Sequence, residues 1–376
     1  MTAAVEPTVG ATESAGAIDD AATRKVRVAI VGATGYVGGE LIRLLLRHPH
    51  VEIVGLVGRG RQGDAVETIH PHVAGTGLAV HAEIPVDAET VFLALPHGAA
   101  AERVPDLLEG ARTVIDLGPD FRLRDKADYP TWYGFEHPAP ELLDRAVYGL
   151  PELHRDELQQ AARDRFAGTP ALVASPGCYA TTSILALAPL ARVGLIGDLV
   201  VDAKSGVSGA GRDAKPDLHF GEVNESVKAY AVFTHRHIGE IEQELRLAAR
   251  DGASNPGASG IDFLPHLIPM TRGILAAGHV RPTWTVDQAE VERLYAEAYA
   301  DEPFVTVTVQ PPATKHVLGS NEMRVHARVD PRNGRILAIG VLDNLVKGAA
   351  GQAIQAFNIV HGLPEDAGLR QLPLAP

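Results

Sequence analysis

The sequence of 376 residues has only one cysteine and no long hydrophobic run. Because Cys178 has no second cysteine to pair with, the fold needs no oxidising compartment and the thiol stays available for chemistry. No stretch approaches the roughly 18 unbroken apolar residues of a membrane helix, and the run 184–191 is closed by Arg192. Residues 1–23 hold four acidic and no basic side chains, so we expect neither a secretory signal nor a transit peptide. We predict a cytoplasmic protein with no membrane partner and a disordered tail over residues 1–24.

Metal-binding motifs and positive charge are also scarce. The CxxC and HExxH spacings are absent, so the sixteen histidines are interpreted as scattered and no metal is predicted. The formal net charge of −13 leaves no surplus of Lys and Arg to neutralise a phosphate backbone, which argues against a nucleic-acid partner. An anionic substrate must therefore be bound by a few local groups.

The first half of the chain alternates between short apolar strands and helical patterns. Strand patterns cover residues 26–31, 51–57, 90–95 and 113–117, with helical patterns over 40–47 and 99–108. At this length, with 45% hydrophobic residues, two domains are expected. Strands that alternate with helices predict an α/β fold with a Rossmann-type, doubly wound parallel sheet.

The second half has longer strands and fewer helices. Strand patterns cover residues 198–203, 260–268, 273–281 and 304–309, which predicts a mixed α+β domain. The boundary falls near residues 175–177. Residues 335–342 then form a strand pattern and 345–361 a helical pattern that could return to the first domain. The predicted division is 25–176 completed by 345–376, with 177–344 between them.

A glycine turn follows the first strand. Gly32, Gly35 and Gly38 have the spacing GxxGxxG between a strand pattern and a helix pattern. Glycines allow the tight turn and let backbone N–H groups approach a pyrophosphate at the helix N-terminus. An ordinary strand-to-helix turn has the same pattern, but its place after the first strand favours dinucleotide binding.

Two arginines lie where many NAD enzymes have an acidic residue on the ribose. About twenty residues after Gly38 the chain carries Arg59 and Arg61 instead of a carboxylate. A guanidinium can pair with a 2′-phosphate, which favours NADP. The alternative is a pair of solvated arginines in a loop.

Cys178 follows Ser175-Pro176-Gly177 and precedes an apolar helical pattern. A cysteine at a helix N-terminus is near unpaired N–H groups and the helix dipole, so we predict a lowered thiol pKa and a nucleophile. Most lone cysteines are inert core residues. The turn at a domain boundary, where a cleft forms, favours catalysis here.

A second cluster begins another helical pattern. His235, Arg236 and His237 crowd its start, and Glu240 lies three residues after His237 on the same face. A general base oriented by a carboxylate would have this pattern. A surface helix with a threonine cap would have it too.

Residues 204–212 form a loop rich in glycine and hydroxyl groups, flanked by Lys204 and Arg212. Its N–H groups could hold a phosphate or carboxylate. It lacks the GxxxxGK[ST] spacing of a Walker loop, and a flexible loop is the alternative.

Taken together, several segments closely resemble N-acetyl-γ-glutamyl-phosphate reductases, and the resemblance covers nearly everything after Lys25. The segments are GATGYVGGEL at 32–41, FLALPHG at 92–98, SPGCYATT at 175–182, KSGVSGAGR at 204–212, HRHIGEI at 235–241, PMTRGI at 269–274 and DNLVKGAAGQA at 343–353. Their order is that of the wider semialdehyde dehydrogenase group. Ala180 stands where many members have proline, which removes no reacting group.

The resemblance implies a Rossmann domain completed by the C-terminal helix, a catalytic domain between, and a homo-oligomer, either dimer or tetramer. It implies Cys178 as nucleophile and His235 or His237 as acid and base, assisted by Glu240. Aspartate-semialdehyde relatives have a catalytic histidine where this chain has Ile274, so the His235/His237 pair must replace it. The implied NADP contacts are Gly32, Thr34, Gly35, Tyr36, Val37, Gly38, Arg59, Arg61, Pro96, His97, Ser205, Gly206 and Asn344. The implied substrate contacts are Ser208, Arg212, Arg236 and Arg272.

The implied activity is NADPH-dependent reduction of an acyl phosphate through a thioester on Cys178, in arginine biosynthesis. A homologous acyl phosphate, such as the aminoadipyl one of lysine biosynthesis, stays open because one methylene changes pocket binding by only about 1–3 kcal/mol. A catalytically silent NADP-binding regulatory protein is the alternative from another class.

Overall fold

The computed structural model describes residues 24–110, 112–249 and 260–374. The disordered tail predicted for residues 1–24 therefore lies, apart from Arg24, outside the described residues. Seven parallel strands form the first sheet, in the order β3-β2-β1-β4-β5-β7-β6. The strands are β1 (Val26–Val31), β2 (Val51–Val57), β3 (Val80–His81), β4 (Thr90–Leu93), β5 (Thr113–Asp116), β6 (Ala146–Tyr148) and β7 (Leu172–Ala174).

Helices cover both faces of this sheet. They are α1 (Tyr36–Leu45), α2 (Val104–Glu109), α3 (Asp128–Trp132) and α4 (Pro151–Phe166). One apolar core joins α1 to the sheet, and a second lies under α2 and α3 on the other face. Since β1 and β4 are neighbours while β2 and β3 lie on the far side of β1, the strand order reverses beside the turn that follows β1. In such sheets the reversal opens a crevice at the carboxyl ends of the strands.

The second half of the chain forms a mixed seven-stranded sheet, in the order β12-β13-β14-β11-β8-β10-β9. Its strands are β8 (Ile196–Gly206), β9 (Lys228–Ala229), β10 (Asp262–Ile268), β11 (Ile274–Pro282), β12 (Val305–Val307), β13 (Met323–Val329) and β14 (Ile336–Leu342). Its helices are α5 (Cys178–Arg192), α6 (Phe220–Val223), α7 (His237–Ala248) and α8 (Gln288–Ala298). The two sheets confirm the predicted fold class.

One face of the second sheet is packed and the other is open. Buried side chains on alternate positions, such as Ile274 and Ala276, join the core beneath α5, α7 and α8. The intervening positions, including Leu275, Ala277 and Ile339, are only half-buried. The alternation follows from the two-residue period of a strand.

The chain returns to the first sheet after β14. A π-helical turn, Val346–Ala350, leads into α9 (Gly351–Val360), and side chains of both lie in the core of the first sheet beside α1. The single helix predicted for residues 345–361 is therefore a π turn followed by an α-helix. Within the described ranges, none of the helices combines the length and apolar composition needed to cross a membrane.

Candidate active site

A cleft opens at the carboxyl edge of the first sheet, where loops after β1, β4, β5 and β7 meet loops of the second sheet. Fifteen of the residues singled out in the sequence line it. They are Gly32, Gly35, Tyr36, Val37, Gly38, Pro96, His97, Cys178, Ser205, Ser208, Arg212, His235, Arg236, His237 and Asn344. Motifs far apart in the chain therefore share one cavity.

The glycine turn packs tightly against the loop that follows β4. Gly32 has φ +85°, and a Cβ there would lie 2.1 Å from the carbonyl oxygen of Ala94. Only glycine fits this contact. Helix α1 then begins after Gly35. Among the described residues, no side chain caps its N–H groups, and its first turn holds no acidic residue. These N–H groups are free to bind an anion such as a pyrophosphate.

Asp120 holds the loop that carries Pro96 and His97. Its carboxylate accepts the backbone N–H groups of Gly98, Ala100 and Ala101 at 2.7, 2.9 and 3.0 Å. Three such bonds fix the direction of the turn, which places the exposed His97 side chain on the rim of the cleft.

Cys178 is the first residue of α5, and it is partly exposed to the cleft. Burial nevertheless raises the pKa of its thiol above the ordinary value, although Arg122, the backbone N–H of Tyr179 and Arg236 act to lower it. The lowered pKa predicted from the helix dipole alone is therefore wrong for the free chain. Desolvation penalises the thiolate by more than the helix start and the cations stabilise it.

The two histidines lie edge to face with ring centres 4.7 Å apart. The backbone N–H of His237 donates to Nδ1 of His235 at 3.2 Å. Burial, together with Arg236, lowers the pKa of His235 to about 4. Burial, His235 and the nearby arginines hold the pKa of His237 well below its usual range. Both imidazoles are therefore neutral near pH 7 and able to accept a proton.

His237 lies directly against the turn before Cys178. A Cβ at Gly177 would be only 2.3 Å from its Nε2 atom. Its Nδ1 atom is buried and has no hydrogen-bond partner in the described part of the chain. The turn 175–177 thus brings a thiol and a neutral imidazole to adjoining positions in the cleft.

Glu240 does not hydrogen-bond either imidazole, contrary to the prediction that it orients His237. Its Oε1 accepts the Gly177 N–H at 2.7 Å and the Tyr148 hydroxyl at 2.7 Å. Its Oε2 lies 3.4 Å from Arg122 Nη1. The fully buried carboxylate therefore holds the turn that precedes Cys178. The buried Gly177 N–H needs a hydrogen-bond acceptor, and Glu240 supplies it.

Arg122 is a cleft residue that sequence reasoning missed. Its side chain is 7% exposed, and it donates to the carbonyls of Ser175 at 2.7 Å and Leu117 at 2.8 Å. These bonds aim the guanidinium at the Cys178 turn from the end of β5. The available signal was its position just beyond an apolar strand, where parallel strands present their functional residues.

Asn344 joins the loop after β8 to the segment before β11. Its amide nitrogen donates to the Ser208 hydroxyl at 2.9 Å, and its Oδ1 accepts the Gly273 N–H at 2.7 Å. Arg212, at the end of the same loop, donates to the carbonyls of Thr34 and Ile69 at 3.0 and 3.1 Å. These bonds tie the loop after β8 to the glycine turn.

Six singled-out residues do not line the cleft. They are Thr34, Arg59, Arg61, Gly206, Glu240 and Arg272. The side chain of Arg272 instead makes ion pairs of 3.0 Å with Glu40 of α1 and 3.1 Å with Asp343. Arg61 pairs with Asp64 at 2.5 Å, whereas Arg59 is exposed just beyond β2.

The arrangement suits acyl transfer followed by reduction. A thiol beside a neutral imidazole can be deprotonated as it attacks a carbonyl carbon. The buried Arg122 and the exposed Arg212 and Arg236 line the cleft, where a guanidinium group can pair with an anionic leaving group. In the part of the chain that the structure describes, no three His, Cys, Asp or Glu side chains are grouped to hold a metal ion.

The fold is similar to those of solved aspartate semialdehyde dehydrogenases. The Vibrio cholerae enzyme II, complexed with ASA, aligns with a TM-score of 0.66 at 18% identity, covering 90% of this chain and 98% of that one. The Candida albicans enzyme with NADP aligns with a TM-score of 0.66 at 16% identity, covering 92% and 99%. At these identities the likeness concerns the fold.

Sequence comparisons are more specific. Residues 27–161 match the family model of the semialdehyde dehydrogenase NAD binding domain, and residues 178–344 match that of the semialdehyde dehydrogenase dimerisation domain. An N-acetyl-gamma-glutamyl-phosphate reductase of Desulforudis audaxviator is 48% identical over 92% of this chain and 98% of its own. One from Heliobacterium modesticaldum is 48% identical over 93% of this chain and 100% of its own. The chain belongs to the N-acetyl-gamma-glutamyl-phosphate reductase family.

Proposed function

We propose that this chain uses NADPH to reduce N-acetyl-γ-glutamyl phosphate to N-acetylglutamate 5-semialdehyde and phosphate, in arginine biosynthesis. The observation that carries the proposal is the position of Cys178, which shares one cleft with the glycine turn and His237 and directly follows Gly177, against which His237 packs. A silent NADP-binding protein would have no use for a thiol beside a neutral imidazole. The name shared by the relatives supports the choice of substrate.

The cleft fits a dinucleotide. The uncapped N-terminus of α1 and the absence of a Cβ at Gly32 leave room and N–H donors for a pyrophosphate. Tyr36 and Val37 begin the helix, and Pro96, His97 and Asn344 line the same cleft as Cys178. We assign these residues to the cofactor, with Arg59 as the contact to a 2′-phosphate. When bound, NADPH supplies the hydride that the thioester carbonyl accepts.

The first half of the reaction is acyl transfer. His237 accepts the Cys178 proton as the sulfur attacks the acyl carbon, so the thiolate forms only while it is being used. The carbon–oxygen bond to phosphate breaks and phosphate leaves with its electron pair. Arg122 and Arg236 offset the negative charge of the leaving group, and Ser208 and Arg212 line the same cavity.

The second half returns the proton. After reduction of the Cys178 thioester, the carbonyl oxygen carries a negative charge, and we assign its stabilisation to the Cys178 N–H, which belongs to the first turn of α5. The His237 imidazolium protonates this oxygen, and the adduct then collapses to the aldehyde and the free thiol. One imidazole therefore serves as base first and as acid second.

The test is the reverse reaction. Purified protein should reduce NADP⁺ with N-acetylglutamate semialdehyde only when phosphate is present, and more efficiently than with the aminoadipate homologue. Mixed with the acyl phosphate and no NADPH, the wild-type chain should gain one acyl group by intact mass, and Cys178→Ser should gain none. Wild-type turnover by Cys178→Ser would falsify the thioester mechanism. Faster turnover of the aminoadipate homologue would move the function to lysine biosynthesis.

We also propose that the open face of the second sheet is the contact between two copies of the chain. The matched family model is a dimerisation domain whose residues, 178–344, include this face. The half-buried Leu275, Ala277 and Ile339 offer apolar area there. Leu275→Glu should shift sedimentation from dimer to monomer, whereas an unchanged dimer would place the contact elsewhere.

We propose the same two domains that the sequence predicts, one made of residues 25–176 and 345–376 and the other of residues 177–344. The packing of α9 in the core of the first sheet supports it. A cytoplasmic location is part of the same proposal.

A further inference from the structure

The π turn after β14 presents its residues to the cleft. The N–H of Gly348 bonds to the carbonyl of Asp343, and that of Ala350 to Leu345, each five residues back. Such wide turns are rare in proteins, but those that occur are often found at functional sites. Gly348 and Ala349 line the cleft. A Cβ at Gly348 would lie 2.8 Å from the Cβ of Cys178, so the turn is the wall against which the nucleophile packs.

A buried lysine holds this turn from the side of the protein core. Lys347 is fully buried, and its ammonium group donates to Glu152 Oε1 and Gln355 Oε1, each at 2.6 Å. The same nitrogen lies 5.7 Å from the ring centre of Phe304. Glu152 belongs to α4 and is likewise fully buried at its side chain. The turn is therefore bonded to one helix of the first sheet and to α9.

Apolar side chains could fill the space that Lys347 and Glu152 occupy. A buried ion pair is often no more stabilising than apolar side chains of similar size, because both ions must leave water. What the pair adds is direction, since an ammonium between two fixed oxygens has one position. With an apolar side chain at this site, the π turn could take several positions relative to Cys178.

We propose that Lys347 and Glu152 are positioning residues that set the depth of the π turn, and through Gly348 the place of the Cys178 sulfur and its thioester. Neither side chain lines the cleft. They act through Gly348, which packs on Cys178, and through Asn344, which begins the same segment and bonds to Ser208.

The decisive variant removes both charges. Lys347→Met alone leaves the Glu152 carboxylate buried without a cation and is expected to fold poorly. The double variant Lys347→Met with Glu152→Leu leaves no uncompensated charge and should fold with a melting temperature near that of the wild type. Arg293→Met is the control, because Arg293 pairs with Glu290 and Glu297 on the exposed face of α8 without contacting the turn or its network.

In the double variant kcat should fall about 10–100-fold, with KM for both substrates changed by less than about threefold, because misplacement of a reacting group by about 1 Å costs this much. Iodoacetamide should alkylate Cys178 at least about threefold faster, since the wall behind the sulfur is looser. A deuterium isotope effect with NADPH labelled at the transferred position should increase. Arg293→Met should leave all of these values unchanged.

Wild-type kcat and alkylation rate in the folded double variant would overturn the inference, as would an equal loss of kcat in Arg293→Met. Because the role rests on the proposed function, the wild-type chain is assayed first. Absence of reductase activity there overturns the proposed function. The alkylation comparison needs no substrate and still decides whether the pair positions Cys178.

Discussion

The Nδ1 atom of His235 accepts the backbone N–H of His237 at 3.2 Å. A neutral imidazole that accepts at Nδ1 carries its proton on Nε2. His235 is therefore already engaged in shaping the start of α7. His237 has its Nε2 against Gly177 and its Nδ1 unpaired among the described residues. The two histidines are only two residues apart in the sequence, but they differ in whether Nδ1 is already hydrogen-bonded.

His237→Asn should lower kcat by about 10²–10⁴-fold, the usual contribution of a positioned acid or base. His235→Asn should lower it by less than about tenfold and mainly raise KM for the acyl phosphate. His81→Asn, at an exposed position on β3, serves as the control. Near-normal kcat in both cleft variants would place the acid and base on another residue.

Gly177→Ala should displace the His237 side chain. The added methyl would meet Nε2 at 2.3 Å, so the imidazole must leave its present position against the turn before Cys178. We expect kcat to fall at least about 100-fold, while NADPH affinity changes little. Gly221→Ala is matched to it, because a Cβ there meets no atom within 4 Å. Steady-state rates measure kcat, and cofactor titration measures NADPH affinity. Equal activity of the two variants would contradict the assigned geometry.

Arg59 should determine the preference for NADPH over NADH. It is exposed beyond β2 and makes no ion pair in the described ranges, whereas Arg61 is held by Asp64. Arg59→Ala should lower kcat/KM for NADPH about tenfold and leave the value for NADH unchanged, with a smaller effect from Arg61→Ala. Arg47→Ala, at an exposed position in the turn between α1 and β2, is the control. Equal efficiency of the wild type with both cofactors would refute the assignment.

The pH dependence of Cys178 alkylation should reflect burial. Because burial raises the pKa of the thiol, the free enzyme holds the protonated form at pH 7, and the alkylation rate should still be rising at pH 9. Arg122→Met removes a charge that lowers this pKa, so the rate at pH 8 should fall by up to about tenfold. Since Cys178 is the only cysteine, total label reports it alone.

Arg124→Met is the matched variant, because Arg124 pairs with Glu157 outside the cleft. Its alkylation profile should superimpose on that of the wild type. A wild-type profile with a midpoint near neutral pH would mean that the thiolate is preformed, as the helix start alone suggests.

The central strands of the first sheet could be predicted from the sequence. Most of their residues are buried, so they appear as mainly apolar runs interrupted only by Arg27 and Glu52, and the bounds of β1 and β2 agree with the prediction residue by residue. Edge strands such as β3 and β6 have two or three residues, too few to show a period. The predicted start of α1 was four residues late, because the glycine motif runs into its first turn.

The candidate site could be predicted where its residues lie in short segments. Cys178 and His237 were found because each begins a helix after a recognisable turn. The partner of Glu240 could not be found from spacing, since its carboxylate turns to Gly177 and Tyr148, which belong to distant segments. The predicted lowering of the Cys178 pKa was wrong for a similar reason. Helix starts can be read in a sequence, but the depth of burial that opposes them depends on the whole fold.

All ten residues of α9 are buried, and the ring of Phe357 lies 5.5 Å from that of Phe92 in β4. During synthesis, the ribosome completes all seven strands of the first sheet before it begins the second. The apolar surface that α9 covers therefore stays unprotected until the last part of the chain emerges. Such surface attracts chaperones and other unfinished chains. Loss of the final helix by a premature stop codon would therefore damage the sheet that is made first.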